Sequence, residues 1–465
     1  MSPPISRKHA PGARIPCSSI NYRRLSLHGG RPWASLPEDL VQLIGWRVLA
    51  GDLLDYVRFR AVCTHWNWSS VRPHGRGLVD PRFHPRRWMM LSEGHGLYPG
   101  HPHLGGYLRF FNLSTGVFVR VHLPLFDDHV VLDSVDGLLV LLLHRDYGTA
   151  IRLLHPFTGD IAELPPLLSL LPQMEPQARY RDMSEDNKLR TLSVLLRGVC
   201  AAVSVSATGA ITVMLALDML HHVAHASAGD QRWTLSSWEL PFLLESTVSF
   251  QGKLYMVSPS TADKNIVYIR QTDPPQLNSE RSHSSLQPPR KIAECPMTAT
   301  VGTVHLVECG LELMLIGSND SAGLVVYRLN DLISGRVAPV MNIGEHALFL
   351  GERSFYLLAN KRFPSVLGNS IIRKHMSTVH NPLVRTRVVR RVEQYHLGSG
   401  TWSPAIDEED IPLRDRSPPA SPYMLIHHIY TCCYRSYWNK GLMVRGAVTP
   451  DWSVKSNLWA GLTDG

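Results

Sequence analysis

Short β-hairpins recur along most of this chain, and their recurrence limits the folds that it can adopt. One kind is a strand, a Thr-Gly or Ser-Gly turn and a second strand, as in FNLSTGVFVRVHLP at 111–124, LHPFTGDIAELPPL at 154–167 and YHLGSGTWSPAI at 395–406. The other kind has a largely apolar return strand, as in SVDGLLVLLL at 134–143, SFQGKLYMVS at 249–258 and ECGLELMLIG at 308–317. Repeated meanders on this scale predict the radial blades of a β-propeller, with the blade number left open and a two-sheet sandwich as the alternative.

A helical pattern precedes the hairpins, in the segment WASLPEDLVQLIGWRVLAGDLLDYV at 33–57. Ser35 and Glu38 have the spacing of a capping box, and Pro37 falls in the first turn, where its missing N–H costs little. Apolar side chains at helical spacing follow at Leu40, Leu43, Ile44 and Val48. Gly51 and Asp52 then end this helix and begin a second one, which contains Leu53, Leu54 and Val57.

The stretch RFRAVCTHW at 58–66 predicts a third helix. Phe59, Val62, Cys63 and Trp66 fall at i, i+3, i+4 and i+7, which is one apolar stripe of a helix. On that stripe the Cys63 thiol is expected to be a small buried hydrophobic group rather than a nucleophile or a metal ligand. Three short helices in about forty residues make a very small core, so such a unit often needs a partner to complete it.

The helical segment resembles an F-box, the module that docks substrate receptors onto the Skp adaptor of cullin–RING ubiquitin ligases. The Leu-Pro start, the spacing of Leu40 and Ile44 and the Val-Cys-x-x-Trp ending carry the resemblance. By resemblance, the side chains that face the adaptor or brace that face are Leu36, Pro37, Leu40, Ile44, Leu53, Val62 and Trp66. An ordinary helical N-terminal subdomain is the alternative.

The hairpin region resembles the KIB-type β-propeller of plant F-box proteins, on LHPFTGDIAELPPL, on HALFLGERSFYLLANKRFPSVLGNSII at 346–372 and on VEQYHLGSG. The resemblance implies an α+β multidomain chain, with a three-helix F-box at 33–75 and a mainly-β propeller-like domain at 84–405. A basic extension at 1–32, expected to be disordered, and a C-terminal segment at 406–465 without a family counterpart complete the chain. After Asn369 the sequence departs from the family pattern, so it does not predict how the ring closes.

Charge is unevenly distributed along the chain, whose net charge is +8. Residues 1–37 hold six Lys/Arg and residues 353–392 hold nine, and neither segment has an Asp or Glu. The rest is mildly acidic, which argues against a uniformly basic nucleic-acid-binding surface. We expect a basic, exposed loop that begins near Arg373, and a second exposed loop at 273–291.

Targeting and redox signals favour the nucleus or the cytoplasm. Seven cysteines without framework spacing fit reduced thiols. The uncharged run at 198–217 alternates and contains a Thr-Gly turn, which favours two strands over a membrane helix. An organelle transit peptide is the alternative for the N-terminus, where Arg and Ser occur without acidic residues.

Motifs for catalysis are scarce, and no enzyme activity, cofactor or metal is expected. The sequence has no Gly-rich phosphate loop, nucleophile elbow or H-E-x-x-H helix. The weak metal candidates, each of which is better explained as a loop, cap or surface group, are His95, His101 and His103, then Asp218, His222 and His225 on one supposed helix face, and His428 with Cys432. A glycosidase with carboxylates at the ring centre, such as Asp133 and Asp136, is an enzymatic alternative.

Together these patterns predict a substrate-recognition adaptor of an SCF-type (Skp–cullin–F-box) ubiquitin ligase. The helical unit would bind the Skp adaptor, and through it the cullin–RING ligase, while the propeller captures an unknown client protein. Client contacts are expected in the loops at 94–106 and 273–291, away from the helical unit. The alternative is a non-ligase propeller scaffold, or a nucleic-acid-associated protein that uses its basic segments; no membrane partner is expected.

Overall fold

A three-helix unit followed by a six-bladed β-propeller makes up the computed structural model of the protein. This confirms the predicted fold class and sets the number of blades. The structure describes residues 33–91, 107–143, 150–174, 199–241, 244–263, 265–275, 285–297, 304–318, 323–359, 366–381, 384–405 and 425–434, with the single residues 184, 187 and 196.

The helical unit consists of α1 (Glu38–Gly51), α2 (Leu53–Arg60) and α3 (Thr64–Ser69). Asp52 separates the first two helices as the N-cap of α2, where its Oδ1 accepts the backbone N–H of Leu54 at 2.8 Å. The buried side chains of the unit are Val41, Leu49, Leu53, Tyr56, Phe59 and Phe83. Phe83 lies outside these three helices, in the segment 70–87 that leads to the propeller and is called here the linker, so the linker completes the small core.

The predicted helix over 59–66 is wrong, because the chain turns between α2 and α3. Cys63 is extended, with φ at −159°, and its Sγ caps α3 by accepting the Trp66 N–H at 3.4 Å. The rings of Phe59 and Trp66 still pack, with centroids 4.6 Å apart, but they meet across the turn rather than along one helix. Helical spacing therefore identified two contacting residues and misassigned the backbone between them.

Blades 1 to 3 are consecutive antiparallel sheets. Blade 1 contains β1 (Trp88–Met90), β2 (Tyr107–Asn112) and β3 (Phe118–His122). Blade 2 contains β4 (His129–Val135), β5 (Leu138–Leu143), β6 (Ile151–Leu154) and β7 (Ile161–Leu164). Blade 3 contains β8 (Cys200–Val205), β9 (Ile211–Leu217), β10 (His222–Ser227) and β11 (Thr234–Leu235).

Blades 4 to 6 complete the ring. Blade 4 contains β12 (Ser246–Phe250), β13 (Lys253–Pro259), β14 (Ile266–Thr272) and β15 (Arg290–Pro296). Blade 5 contains β16 (His305–Cys309), β17 (Glu312–Ser318) and β18 (Leu324–Arg328). Blade 6 has the order β20 (Phe355–Leu358), β19 (His346–Phe349), β21 (Ser370–Asn381), β22 (Val384–His396) and β23 (Thr401–Pro404), with β19 and β21 parallel.

Blade 3 settles two of the sequence predictions. The uncharged run at 198–217 forms β8 and β9, which confirms two strands joined by a turn. The described part of the chain contains no helix long and apolar enough to cross a membrane. The supposed helix face with Asp218, His222 and His225 is wrong, because the two histidines lie on β10 and Asp218 lies in a preceding 3-10 turn.

Apolar layers between neighbouring blades hold the ring together. Alternate side chains of blades 2 and 3 share one buried cluster, and similar clusters join blades 3 and 4, 4 and 5, and 5 and 6. The inner strands β4, β8, β12 and β16 are neighbours around the axis, and β20 lies next to β16. Burial on both faces explains why the second strands of blades 2 to 5, β5, β9, β13 and β17, are largely apolar runs.

The ring closes through a segment whose role the sequence left open. The helix Leu425–Thr431 packs into the apolar cluster that joins blades 1 and 6. The Tyr430 hydroxyl donates to the carbonyl of Leu350 at 3.0 Å, and the Cys432 Sγ lies 3.8 Å from the carbonyl of Met90 on β1. The Arg353 N–H donates to the Cys433 carbonyl at 2.9 Å. The C-terminal segment thus bridges the first and last blades.

The basic segment after Arg373 is not the predicted loop. Residues Ser370–Asn381 and Val384–His396 pair as β21 and β22, and the β19 partner of β21 ends its pairing at Ile372. Strand β23 pairs with β22 only from Glu393 onward. Within the described chain, residues 373–392 therefore form a two-stranded arm, called here the basic ribbon. Frequent Val and Thr residues in this stretch favour a strand over a loop.

Candidate functional site

Exposed apolar side chains lie on the helical unit. Val41, Gly45 and Leu49 face its core, and the opposite side of α1 carries Leu40, 42% exposed, and Leu43, 51% exposed. The other exposed large hydrophobic residues of the unit are Trp33, Val57, Val62 and Trp68. A soluble unit of this size rarely exposes so many large apolar groups, and such groups mark contact surfaces.

The seven residues predicted to contact or brace an adaptor have different degrees of burial. Pro37, Leu40 and Val62 are exposed; Leu36, Ile44 and Trp66 are partly buried; and Leu53 is buried. Leu53 can therefore only brace the surface. Trp33 and Trp68 were missed by the sequence prediction because neither belongs to an apolar period, and their exposure alone brings them to notice.

Asp52 attaches the helical unit to the propeller. While its Oδ1 caps α2, its Oδ2 accepts the indole N–H of Trp88 at 2.9 Å and the amide N–H of Asn112 at 2.7 Å. Trp88 and Asn112 are directly paired residues on β1 and β2 of blade 1. One carboxylate thus fixes both the start of a helix and the position of that helix on the first blade.

The linker between the two parts is held by the β6–β7 turn of blade 2. The Asp160 carboxylate accepts the backbone N–H groups of Gly75 and Gly77, each at 2.8 Å. A Cβ on Gly77 would lie 2.5 Å from the Thr158 Oγ1, so only glycine allows this approach. The HPFTGD sequence, first identified as part of a repeat, is therefore also the anchor of the linker.

His155 completes this anchor in a defined tautomer. Its Nδ1 accepts the backbone N–H groups of Phe157 and Thr158, so its Nε2–H donates to the carbonyl of Phe83 at 3.0 Å. Burial lowers the pKa of the His155 imidazole, which favours this neutral form. Because Phe83 also belongs to the core of the helical unit, the turn, linker and helices form one packed body.

A polar cavity of about 160 Å³ lies on the propeller axis. It is lined by the inner strands of the blades and by the end of the linker. Its charged lining residues are Arg86, Asp133, Asp136, Glu308, Glu352 and Arg353. These residues come from blades 2, 5 and 6 and from the linker, so only the closed ring brings them together.

Asp133 has a structural role in this cavity. Its carboxylate accepts the Arg353 Nε at 3.0 Å and the backbone N–H of Ala201 at 2.7 Å. The Arg353 guanidinium also donates to the carbonyl of Ser134 at 2.6 Å. These contacts connect blade 2 to blade 3 and to the chain beside blade 6, so both oxygens of Asp133 are engaged in holding the ring.

Glu308 and Asp136 remain available to the cavity. In the described part of the chain, no donor or cation forms a hydrogen bond or ion pair with the Glu308 carboxylate. Burial and the Asp136 charge raise the pKa of Glu308 to about 7, and the Arg86 charge opposes this shift. Asp136 has only long contacts, 3.5 Å to Arg86 and 3.8 Å to His84 Nδ1.

Several of the metal candidates lie outside the part of the chain that the structure describes. Within the described residues, no three His, Cys, Asp or Glu side chains are arranged to hold a metal ion. His95, His101 and His103 and the side chain of His428 lie outside those residues, as do most of the predicted loops at 94–106 and 273–291. Cys432 is buried at the ring closure, next to β1.

Comparison with known proteins agrees with this architecture. The family model described as KIB1-4 beta-propeller matches residues 110–377, which is 268 of the 465 residues. No curated protein matches the chain. The matched residues run from β2 of blade 1 to β21 of blade 6 and so include most of the ring. The chain belongs to the KIB1-4 beta-propeller family.

Proposed function

We propose that this protein is the substrate-recognition adaptor of an SCF-type ubiquitin ligase. In this proposal the helical unit binds a Skp-type adaptor, and the propeller serves as a protein-binding scaffold that holds a client. The main support for this proposal is the exposed apolar side of α1, on a helical unit that resembles an F-box. The other side of that unit is already packed against the linker and attached to blade 1. The protein would contribute proximity rather than active-site chemistry, in the nucleus or the cytoplasm.

A double substitution on α1 tests the docking step. Leu40→Asp/Leu43→Asp places charges at two solvent-exposed positions, whereas an aspartate at the partly buried Ile44 would also threaten folding. An interface anchor contributes about 2 kcal/mol or more, so the double variant should lose co-precipitation with a Skp-type adaptor. The matched control is Leu311→Asp, at a leucine that is 86% exposed on a turn of blade 5.

The outcome of this test is decided by comparing folded proteins. Both variants should retain the circular dichroism spectrum and melting temperature of the unmodified protein. Adaptor binding that is lost in the α1 variant and kept in the Leu311 variant supports docking through this surface. Equal binding by both variants, or no binding by the unmodified protein, contradicts the proposal.

The basic ribbon supports a second candidate function, association with nucleic acid. It holds six Lys/Arg and no Asp/Glu at 373–392, and a two-stranded β-ribbon fits the major groove of DNA. Duplex binding measured by fluorescence anisotropy should then weaken steeply with salt. A salt-insensitive or undetectable signal at 50 mM salt would exclude this function, without bearing on adaptor docking.

A further inference from the structure

We propose that the axial cavity binds a cationic group, a protonated amine or a guanidinium, with Glu308 and Asp136 as its counter-charges. The proposal does not depend on the ligase role, because the cavity is built by the propeller and the end of the linker. The ligand can be a small free cation or the side chain of a basic residue on a client. The two sources share the same chemistry, and the experiment separates them.

The cavity is large and polar enough for such a group. Its volume of about 160 Å³ is more than ten times the roughly 10–15 Å³ that a cavity needs to hold one water molecule. The lining combines carboxylates with hydroxyl groups from Ser249 and Tyr356. A site of this kind is hydrated when empty and can exchange water for an organic cation that donates hydrogen bonds.

The charges of the cavity favour a cation over an anion. Four carboxylates face two guanidinium groups in the lining when Glu308 is ionised. Asp133 and Arg353 neutralise each other at 3.0 Å, so the carboxylates of Asp136 and Glu308 share one remaining guanidinium, that of Arg86. An anion would therefore meet an excess of negative charge, whereas a cation would relieve the repulsion between the Glu308 and Asp136 carboxylates.

Asp136 still has hydrogen-bonding capacity, as its neighbours show. His84 is buried, and its Nε2–H donates to the carbonyl of Leu78 at 3.2 Å. Its Nδ1, which has no hydrogen-bond partner, faces Asp136 Oδ2 at 3.8 Å, and Arg86 approaches the same oxygen no closer than 3.5 Å. Both distances exceed the 2.7–3.2 Å of an ordinary hydrogen bond, so Asp136 can still accept from a ligand.

A bare metal ion is a poorer fit than an organic cation. Among the described residues, the carboxylates and imidazoles do not converge in a group of three that could coordinate an ion. An ammonium or guanidinium group carries several N–H donors and can satisfy two separated carboxylates at once. The donors required by Glu308 and Asp136 are thus supplied by one polyatomic cation.

The test is isothermal titration calorimetry of the full chain with three ligands. Agmatine represents a free small cation, and a capped pentapeptide with one central arginine represents a client side chain. The same pentapeptide with citrulline in place of arginine has no charge and is the ligand control. Saturable binding of agmatine or of the arginine peptide, with none of the citrulline peptide, supports the site and identifies the source of the cation.

Three variants locate the binding. Glu308→Gln and Asp136→Asn should each weaken binding at least tenfold, because each removes one counter-charge. Glu163→Gln, at an exposed carboxylate on β7 far from the axis, should leave binding unchanged. Heat capacity scans verify that every variant is folded. Absence of saturable binding by the unmodified protein, or equal binding by folded Glu308→Gln, Asp136→Asn and Glu163→Gln proteins, overturns the proposal.

The pH dependence gives an independent readout. The groups that face Glu308 across the cavity are Asp136, Glu352, Arg86, Arg353 and Tyr356, and His84 lies behind Asp136. Because the pKa of Glu308 is about 7, its charge is largely absent at pH 6 and largely present at pH 8. Affinity for the cation should therefore rise several-fold from pH 6 to pH 8, and Glu308→Gln should remove most of this rise. A flat pH profile contradicts the assignment of Glu308.

Discussion

Replacement of Asp52 with alanine should detach the helical unit from the propeller without unfolding the ring. Four hydrogen bonds to the carboxylate are lost, two that cap α2 and two that reach blade 1. An N-cap contributes about 1 kcal/mol, and a buried donor left without an acceptor costs about 1–3 kcal/mol. Because Asp52 is half-buried and water can reach the site, the lower end of that range applies to each of the two blade 1 donors. We therefore expect a total loss of stability of about 3 kcal/mol.

Hydrogen exchange with mass spectrometry measures this detachment locally. A loss of about 3 kcal/mol corresponds to a roughly hundredfold higher population of the detached state. Amides of α1 and α2 should exchange faster by about that factor, whereas peptides from blades 3 to 5 should be unchanged. Asp55→Ala is the control, because Asp55 lies on the same helix and forms only an exposed ion pair with Arg58.

Asp52→Asn separates the two roles of the carboxylate. Asparagine caps helices as well as aspartate does, so α2 should keep its N-cap. Its side-chain amide, however, has a single oxygen, and turning that oxygen to the cap presents an NH₂ group to the Trp88 and Asn112 donors. We expect an intermediate increase in exchange. Unchanged exchange of α1 and α2 in a folded Asp52→Ala protein would refute the anchoring role.

Three further changes test other parts of the structure. Asp160→Ala should loosen the linker and remove a contribution to stability that is lost in acid, as urea unfolding at pH 7 and pH 3 can measure. Burial raises the pKa of Asp160, but the hydrogen bonds to its carboxylate lower the pKa by more, so the folded-state pKa lies below the unfolded one. The contribution is therefore present above the unfolded pKa and is lost as the pH falls through the folded pKa. Glu308→Gln should stabilise the protein at pH 8 by up to about 3 kcal/mol and change its stability little at pH 4, as thermal denaturation at both pH values can show. The folded-state pKa of Glu308 is raised to about 7, so ionisation of this carboxyl group lowers the stability of the protein as the pH rises from the unfolded-state pKa toward 7. Gly137→Ala should lower stability by clearly more than the roughly 1 kcal/mol that an alanine in the left-handed region costs, because its Cβ would lie 2.1 Å from the Pro85 carbonyl oxygen. Gly75→Ala is the matched control in chemical denaturation, because Gly75 has a similar φ and open space around it.

Local sequence patterns predicted the elements whose structure depends on nearby residues. The alternation of the hairpin strands and the Asp-Gly and Gln-Gly turns of blades 2 and 4 specify β-meanders, because φ is positive at both residues of each turn. The turn between α2 and α3 was missed because a helical period and a compact turn can both bring Phe59 and Trp66 into contact. The basic ribbon was missed because charge dominates its composition and conceals its strand-forming residues.

The axial cavity could not be predicted, because its residues meet only after the ring has closed. Arg353 reaches Asp133 across 220 positions of sequence, and the Cys433 carbonyl accepts the backbone N–H of Arg353 from a segment without a family counterpart. The sequence pointed to Asp136 at the ring centre only in the glycosidase alternative, and Glu308 was visible only as a residue beside a hairpin turn. Their importance depends on what the closed ring leaves unpaired, and that is a property of the assembled blades.

The attachment of the helical unit has a consequence for the proposed function. Asp52, Asp160 and His155 fix α1 to α3 on blades 1 and 2 through polar contacts that share the Phe83 core. A client held on the propeller would then stand at a set distance and angle from whatever binds α1, rather than on a flexible tether. For a tethered client the effective concentration depends on linker length, whereas here it depends on which blade holds the client. Client selection would therefore depend on the blade that a client binds as well as on its affinity. A client bound to a blade that points it away from the partner of α1 would stay there, because the linker cannot move to bring the two together.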